Sequence, residues 1–122
     1  MKVLKFGGTS VGSVQGIRNL KKIVEAEKVP VVVVVSALSG ITDQLYKTAN
    51  LAVAADESYR AEYEQMYRRH LEIIDTVIPE GKKEAVVQQV EVQFQDLSNI
   101  LRGIYLIKDM STKIIDTIVS YG

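Results

Sequence analysis

Five consecutive valines, Val31 to Val35, constrain this chain more than any other stretch. β-Branched side chains favour extended backbone and lose rotamer freedom in a helix. The run lacks the alternation of a half-exposed strand. Both of its faces are therefore expected to be buried, as in a parallel sheet covered by helices. A parallel partner has to be reached through a crossover, and the preceding residues provide one. Lys2 to Phe6 (K-V-L-K-F) has the bulk and alternation of a short strand. Ser13 to Glu27 reads as a helix, with Val14, Ile17, Leu20 and Val24 at three- and four-residue steps and Lys21, Lys22 and Glu25 opposite. Ser13 is placed to cap it. Strand, helix and strand in this order form a βαβ unit, expected to be right-handed.

Both strands run into turns that carry polar chemistry. The first reads L-K-F-G-G-T-S-V-G over Leu4 to Gly12. Glycines at a strand end let backbone N–H groups approach an anion, and the start of the next helix adds partial positive charge there. Lys5 contributes a point charge, and Thr9 and Ser10 contribute hydroxyl donors. This is a phosphate site in outline, although a plain glycine turn joining strand to helix would use the same residues. Two better-known loops are excluded by spacing. Gly7 and Gly12 have the separation of a P-loop, but Ser13-Val14 stands where Lys-Ser/Thr is required. The dinucleotide fingerprint G-x-G-x-x-G is absent.

The second turn is Ser36-Ala37-Leu38-Ser39-Gly40-Ile41-Thr42-Asp43. Ligands of open α/β sheets gather at the carboxyl ends of strands, so this turn is expected beside Gly7-Gly8. Helix capping by Ser39, Thr42 or Asp43 accounts for some of these hydroxyls without any ligand. It does not account for the pairing of the two turns.

From about Thr42 onward the pattern is helical. Leu45, Ala49, Ala52 and Val53 mark an apolar face up to Ala55, and Asp56-Glu57-Ser58 breaks it. A second helix is expected over Ser58 to Ile78, with Tyr59, Tyr63, Met66, Tyr67, Leu71 and Ile74 as its stripe. The tyrosines are read as packing rather than as an aromatic ligand face. His70, the one histidine, has no partner at a fitting spacing and is read as a surface or helix-packing residue. Arg68 and Arg69 are read as solvated surface. Pro79-Glu80-Gly81 ends that helix, and a long one follows from Lys82 to about Ile107 with its seam at Val86, Val90, Phe94, Leu97, Leu101 and Ile104. The connection is short, so the two helices should lie antiparallel. Gly103 is a candidate for a close crossing. A last helix follows Asp109-Met110-Ser111, with Ile114, Ile115, Ile118 and Val119 on its apolar face.

Composition excludes several classes of function. The 122 residues suit one domain, and 47% apolar with 25% charged residues is an ordinary soluble composition. Fifteen basic and fifteen acidic side chains give zero net charge, so nothing in the balance points to nucleic acid or to a membrane surface. No cysteine is present, which rules out disulfides and thiolate metal sites and is compatible with a reducing cytoplasm. The longest apolar run, Val29 to Val35, is far short of the roughly 20 residues that span a bilayer.

The string K-F-G-G-T-S at Lys5 to Ser10 resembles the signature of the aspartokinases, in the amino-acid kinase superfamily. Its position near the start of the chain and the later S-A-L-S-G-I-T turn fit the same family. The layout is most like the enzymes in which aspartokinase is fused to homoserine dehydrogenase. The resemblance implies an α/β fold class, the N-terminal portion of an amino-acid-kinase-like fold. Residues 1–122 would be the N-terminal part of the catalytic domain. The nucleotide-binding half, the regulatory domains and any dehydrogenase would lie outside them. Two strands alone make a marginal sheet with open edges, which is in keeping with a partial domain.

The implied reaction transfers the γ-phosphoryl group of ATP to the β-carboxylate of L-aspartate, the first step towards lysine, threonine and methionine. By the resemblance, Lys5 is catalytic, and Lys5, Gly7, Gly8, Thr9 and Ser10 hold the phosphates. Ser36 and Thr42 contact the amino-acid substrate. Mg²⁺ would bridge phosphate oxygens, with no metal ligand assignable among these residues. Asp43 stands where asparagine is common in relatives. A carboxylate there would repel an acidic substrate, so Asp43 is expected to face the helix N-terminus. The parent enzyme is expected to be a cytoplasmic homo-oligomer that uses neither nucleic acid nor membrane, and this chain alone is expected to be inactive. The alternatives are a superfamily kinase for acetylglutamate or glutamate, and a non-catalytic helical module pairing through the seam at Val86 to Ile104.

Overall fold

A computed structural model describes all residues from Met1 to Gly122. The chain is mixed α/β and divides into two compact units, Met1–Ile41 and Thr42–Gly122.

The first unit contains β1 (Lys2–Phe6), α1 (Gly8–Val11), α2 (Val14–Glu25) and β2 (Val31–Val35). β1 and β2 pair in parallel, from Lys2 opposite Val31 to Phe6 opposite Val35. The Lys2 N–H donates to the Pro30 carbonyl (3.2 Å) and the Ser36 N–H to the Phe6 carbonyl (3.1 Å), so the strands begin and end together. The expected cap is present, with Ser13 Oγ accepting from the Gly16 N–H at 3.0 Å.

Two expectations fail in this unit. The valine strand is not buried on both faces: Val32 to Val35 retain between 38% and 55% of their exposure. Its sheet has two strands only, so no third strand lies on the far edge of β2. The residues after Gly7 are also not a simple loop leading to α2. Gly7 is extended (φ −79°, ψ −180°), and the Ser10 N–H donates back to its carbonyl (3.1 Å), which closes the single turn α1. Four residues are too few for apolar periodicity to reveal a helix.

The second unit carries most of the buried core. α3 (Ile41–Val53), which begins on the last residue of the first unit, is followed by α4 (Tyr59–Val77), α5 (Glu80–Ile107) and α6 (Thr112–Val119). Leu45, Ala49, Ala52, Met66, Leu97, Leu101, Ile104 and Ile118 are all buried. α4 and α5 are antiparallel. Tyr59 meets Tyr105 (ring centroids 5.4 Å) near one end, while Asp75 pairs with Lys83 (3.0 Å) at the other. Between them Tyr63 and Tyr67 stand edge-on to Phe94 at 5.6 and 5.1 Å, so the tyrosine stripe is packing, as expected. α3 is tied to α4 through Glu62, which accepts from Gln44 (3.1 Å) and pairs with Lys47 (2.9 Å). These two partners hold the Glu62 carboxyl below its usual range.

Smaller differences have local causes. α5 begins at Glu80 rather than Lys82, because the Pro79 carbonyl already accepts from the Lys82 and Lys83 N–H groups. Gly103 makes no close crossing, since a Cβ there would meet open space. Ile114 remains 36% exposed, so the apolar face of α6 is narrower than its four isoleucine and valine residues imply. Arg69 is half-buried rather than solvated. No helix is long and apolar enough to cross a membrane.

Candidate functional site

Because β1 and β2 end in register, the turns that follow them leave the sheet side by side. Gly8 shows how close they come. A Cβ built there would lie 3.5 Å from Ser39 Cα, 3.6 Å from the Ala37 carbonyl oxygen and 3.6 Å from Ser36 Oγ. The turns predicted to be neighbours are in van der Waals contact.

Within the first turn, Gly7 precedes α1 in extended conformation and Gly8 opens it. The earliest N–H groups of a helix have no intrahelical acceptor. The Ser10 amide is satisfied by the Gly7 carbonyl. The Gly8 and Thr9 amides are then the donors with no acceptor inside their own turn. Thr9 and Ser10 are exposed. Lys5 is exposed too, paired with Val34 one step before the strand ends. The helix start that directly follows β1 is that of the single turn α1. α2 starts six residues later, at Val14.

In the second turn Ser36 is exposed, and its hydroxyl donates to the Ala37 carbonyl at 3.0 Å. Gly40 has φ +82°, a conformation that favours glycine. Thr42 is exposed in the first turn of α3 and is the first residue of the second unit. Asp43 lies in the same first turn, where a negative charge is favoured.

Charge is unevenly placed. The first unit carries Lys2, Lys5, Arg18, Lys21, Lys22 and Lys28 against only Glu25 and Glu27. Neither glutamate is in a turn that follows a strand. The donors that the first turn carries are therefore amides and hydroxyls, with Lys5 three residues before Gly8 on β1. They suit a phosphate. They offer no carboxylate to a hard cation such as Mg²⁺, which seeks oxygen ligands.

Two glycines had more to say than the sequence pattern drew from them. A Cβ at Gly12 would lie 2.7 Å from Ser39 Cβ, and one at Gly16 would overlap the Ser10 carbonyl oxygen. Gly8, Gly12 and Gly16 recur at four-residue intervals. That spacing was the available signal for a close approach along one side of the segment. The clefts of the second unit contain none of the predicted phosphate residues. The one between α4 and α5, about 370 Å³, is lined by Tyr59, Arg60, Tyr63, Glu64, Ser98 and Arg102.

The sequence pattern of the Amino acid kinase family matches residues 1–120. The chain belongs to that family. Among curated members, the chloroplastic bifunctional aspartokinase/homoserine dehydrogenase 1 of Zea mays is 30% identical over 121 residues, 98% of this chain and 13% of its own. The corresponding Daucus carota enzyme is 31% identical over 119 residues, again 13% of its length. An aspartokinase of Chlamydia trachomatis is 51% identical over 49 residues, 40% of this chain and 11% of its own. The chain thus spans about an eighth of the curated relatives it matches along its length. In fold it resembles E. coli aspartokinase III solved with aspartate and ADP. The TM-score is 0.84 at 23% identity, over 100% of this chain and 26% of that one. The α/β fold class of this family is therefore the one seen here.

Proposed function

We propose that this chain is the N-terminal part of the catalytic domain of an aspartate kinase. The observation that carries the reading is the contact between the K-F-G-G-T-S turn and the S-A-L-S-G-I-T turn at the shared end of a parallel strand pair. Support comes from relatives named as aspartokinases and from the solved enzyme holding aspartate and ADP. The nucleotide-binding half, the regulatory part and any fused dehydrogenase belong to the remainder of the parent protein, whose relatives are about eight times longer. The parent acts as a homo-oligomer in the cytoplasm at the head of the lysine, threonine and methionine pathway.

In the proposed reaction a β-carboxylate oxygen of L-aspartate attacks the γ-phosphorus of ATP. The bond from that phosphorus to the bridging oxygen breaks, and ADP leaves with the negative charge. Catalysis of this kind rests on positioning and charge neutralisation. The Gly8 and Thr9 amides and the Thr9 and Ser10 hydroxyls hold phosphate oxygens, with Gly7 setting the extended approach to the turn. Lys5 neutralises charge on the transferring group. Ser36 and Thr42 orient aspartate. Mg²⁺, when bound, would further neutralise phosphate charge. The residues of the first turn provide no carboxylate for it, and each of these roles belongs to the chain's own side chains and amides.

The test is ADP release with ATP, Mg²⁺ and L-aspartate, run on the natural full-length chain and on Met1–Gly122. Turnover is expected in the first and not in the second. It should fall roughly 10²- to 10³-fold in the full-length Lys5→Ala variant, the usual scale for removing one preorganised charge-stabilising group. Turnover with glutamate or acetylglutamate in place of aspartate would reassign the acceptor. No turnover with any of them would leave the helical interaction module as the better reading.

A further inference from the structure

The two turns are held together by a fit that involves two residues outside the expected site, Gly12 and Ser39. Ser39 sits in a notch whose walls are glycines of the first turn. Its Cα is 3.5 Å from where a Gly8 side chain would begin, and its Cβ is 2.7 Å from where a Gly12 side chain would begin. A real Cβ does not approach another carbon to 2.7 Å, so any side chain at Gly12 must push Ser39 away. The other near atoms at Gly12 are the Gly8 carbonyl oxygen, at 2.9 Å one helical turn back, and the Ser39 backbone nitrogen at 3.5 Å. Ser39 therefore supplies the contact that comes from outside the segment.

The opposite side of the turn is equally close. Gly16 in α2 lies against the Ser10 carbonyl with no room for a Cβ. The Gly8–Gly12 segment is thus wedged between α2 and the β2–α3 turn. Ser36, in that second turn, has its Oγ 3.6 Å from the Gly8 Cβ position. A displacement of Ser39 would carry Ser36 with it, since only Ala37 and Leu38 separate them.

We propose that Gly12 and Ser39 are positioning residues whose interlock sets the spacing between the phosphate-binding turn and the acceptor-binding turn. The inference rests on the reading given under Proposed function. Its physical content is that the separation of γ-phosphate donor and carboxylate acceptor is governed by a steric contact between two residues that touch neither. Small misplacements of reacting groups cost rate steeply, so the contact need not move far to matter.

A mutant cycle on the full-length protein tests it, with kcat and the KM values for ATP and L-aspartate measured for each variant. Gly12→Ala should lower kcat/KM for both substrates by at least tenfold. Ser39→Gly removes the opposing Cβ and gives the baseline. Gly12→Ala combined with Ser39→Gly should recover at least threefold in kcat/KM over Gly12→Ala alone, short of the baseline because the Gly8 carbonyl oxygen still stands 2.9 Å from the new Cβ. Gly12→Ala combined with Ser39→Ala, which keeps the Cβ and removes only the hydroxyl, should not recover. Equal behaviour of the two double variants would overturn the proposal, as would a Gly12→Ala protein with normal kcat/KM.

Thermal unfolding of the same variants provides a readout that needs no substrate. Part of the Tm lost in Gly12→Ala should be regained with Ser39→Gly and none of it with Ser39→Ala, the contact with the Gly8 carbonyl oxygen persisting in both. If Gly12→Ala is insoluble, recovery of soluble protein on adding Ser39→Gly supports the interlock, and continued insolubility counts against it. A wild-type protein without aspartate-dependent turnover would sink the kinase assignment alone, leaving the unfolding cycle to decide the interlock.

Discussion

Ala55 ends α3 with φ +58°, in the left-handed region where a Cβ is crowded. The Asp56 N–H donates to the Leu51 carbonyl at 2.9 Å across this cap, a geometry usually served by glycine. Relief of the strain gains about 1–2 kcal/mol, while the freer unfolded chain of a glycine costs about 0.4–1 kcal/mol. Strain is the larger effect, so Ala55→Gly should stabilise the fold by about 0.5–1 kcal/mol in urea unfolding. Lys5 is the contrasting case. Its side chain is exposed on β1, so Lys5→Ala should shift stability by no more than about 0.5 kcal/mol even as turnover collapses. His70 is shifted by its surroundings. Burial holds its imidazole below the usual histidine value, against the opposing pull of the Met66 carbonyl at Nδ1 (2.7 Å), and the Arg69 charge pushes the same way as burial. The unfolded chain then takes up a proton at a higher pH than the folded one. Stability should be complete above about pH 6.5, the ordinary histidine value, and decline as pH falls from there towards the lowered folded value. Tm measured against pH should show this loss in wild type, and His70→Gln should flatten that part of the profile.

At the scale of elements, α4 and α5 are joined by an aromatic cluster around one ring. Phe94 is in edge contact with Tyr63, Tyr67 and His70, and its own carbonyl accepts from the Tyr63 hydroxyl at 2.8 Å. Removing it leaves a cavity and also breaks three aromatic pairs. Phe94→Ala should therefore cost about 3–5 kcal/mol, far more than any exposed ion pair on these helices. Arg68 and Glu64, for example, are 3.9 Å apart and both well exposed, and such pairs contribute about 0–1 kcal/mol. Denaturant unfolding separates the two cases. The antiparallel pairing follows from the short Pro79 connection, and its register from the spacing of apolar residues on both helices. Helix ends were less legible because they depend on single hydrogen bonds. The Pro79 carbonyl starts α5 two residues early, and Gly103 breaks no rule because nothing crosses beside it.

At the scale of the whole chain, the two units differ in how much they bury. The second has a continuous apolar interior, whereas in the first only Val11 and Ile41 are buried. Exposed valines on β2 and an open parallel edge are a template for strand pairing. The chain Met1–Gly122 on its own should therefore self-associate, with a sedimentation coefficient that rises with concentration. Replacing Val34, 43% exposed, with lysine should suppress the rise. Sedimentation as a monomer at high concentration would refute this.

Strand, helix and strand were legible from residue order alone, because β-branched runs and three- and four-residue periodicity act over a few neighbours. So was the meeting of the two turns, since parallel strands that end in register must release their chains at the same edge. Local order could not show whether the valine strand is covered. Burial depends on what else packs against a sheet, and five valines read alike in a centre strand and at an edge. Nor could it show that Gly12 faces Ser39. That contact joins residues twenty-seven positions apart, and only the folded path of the chain brings them to where one extra carbon would not fit.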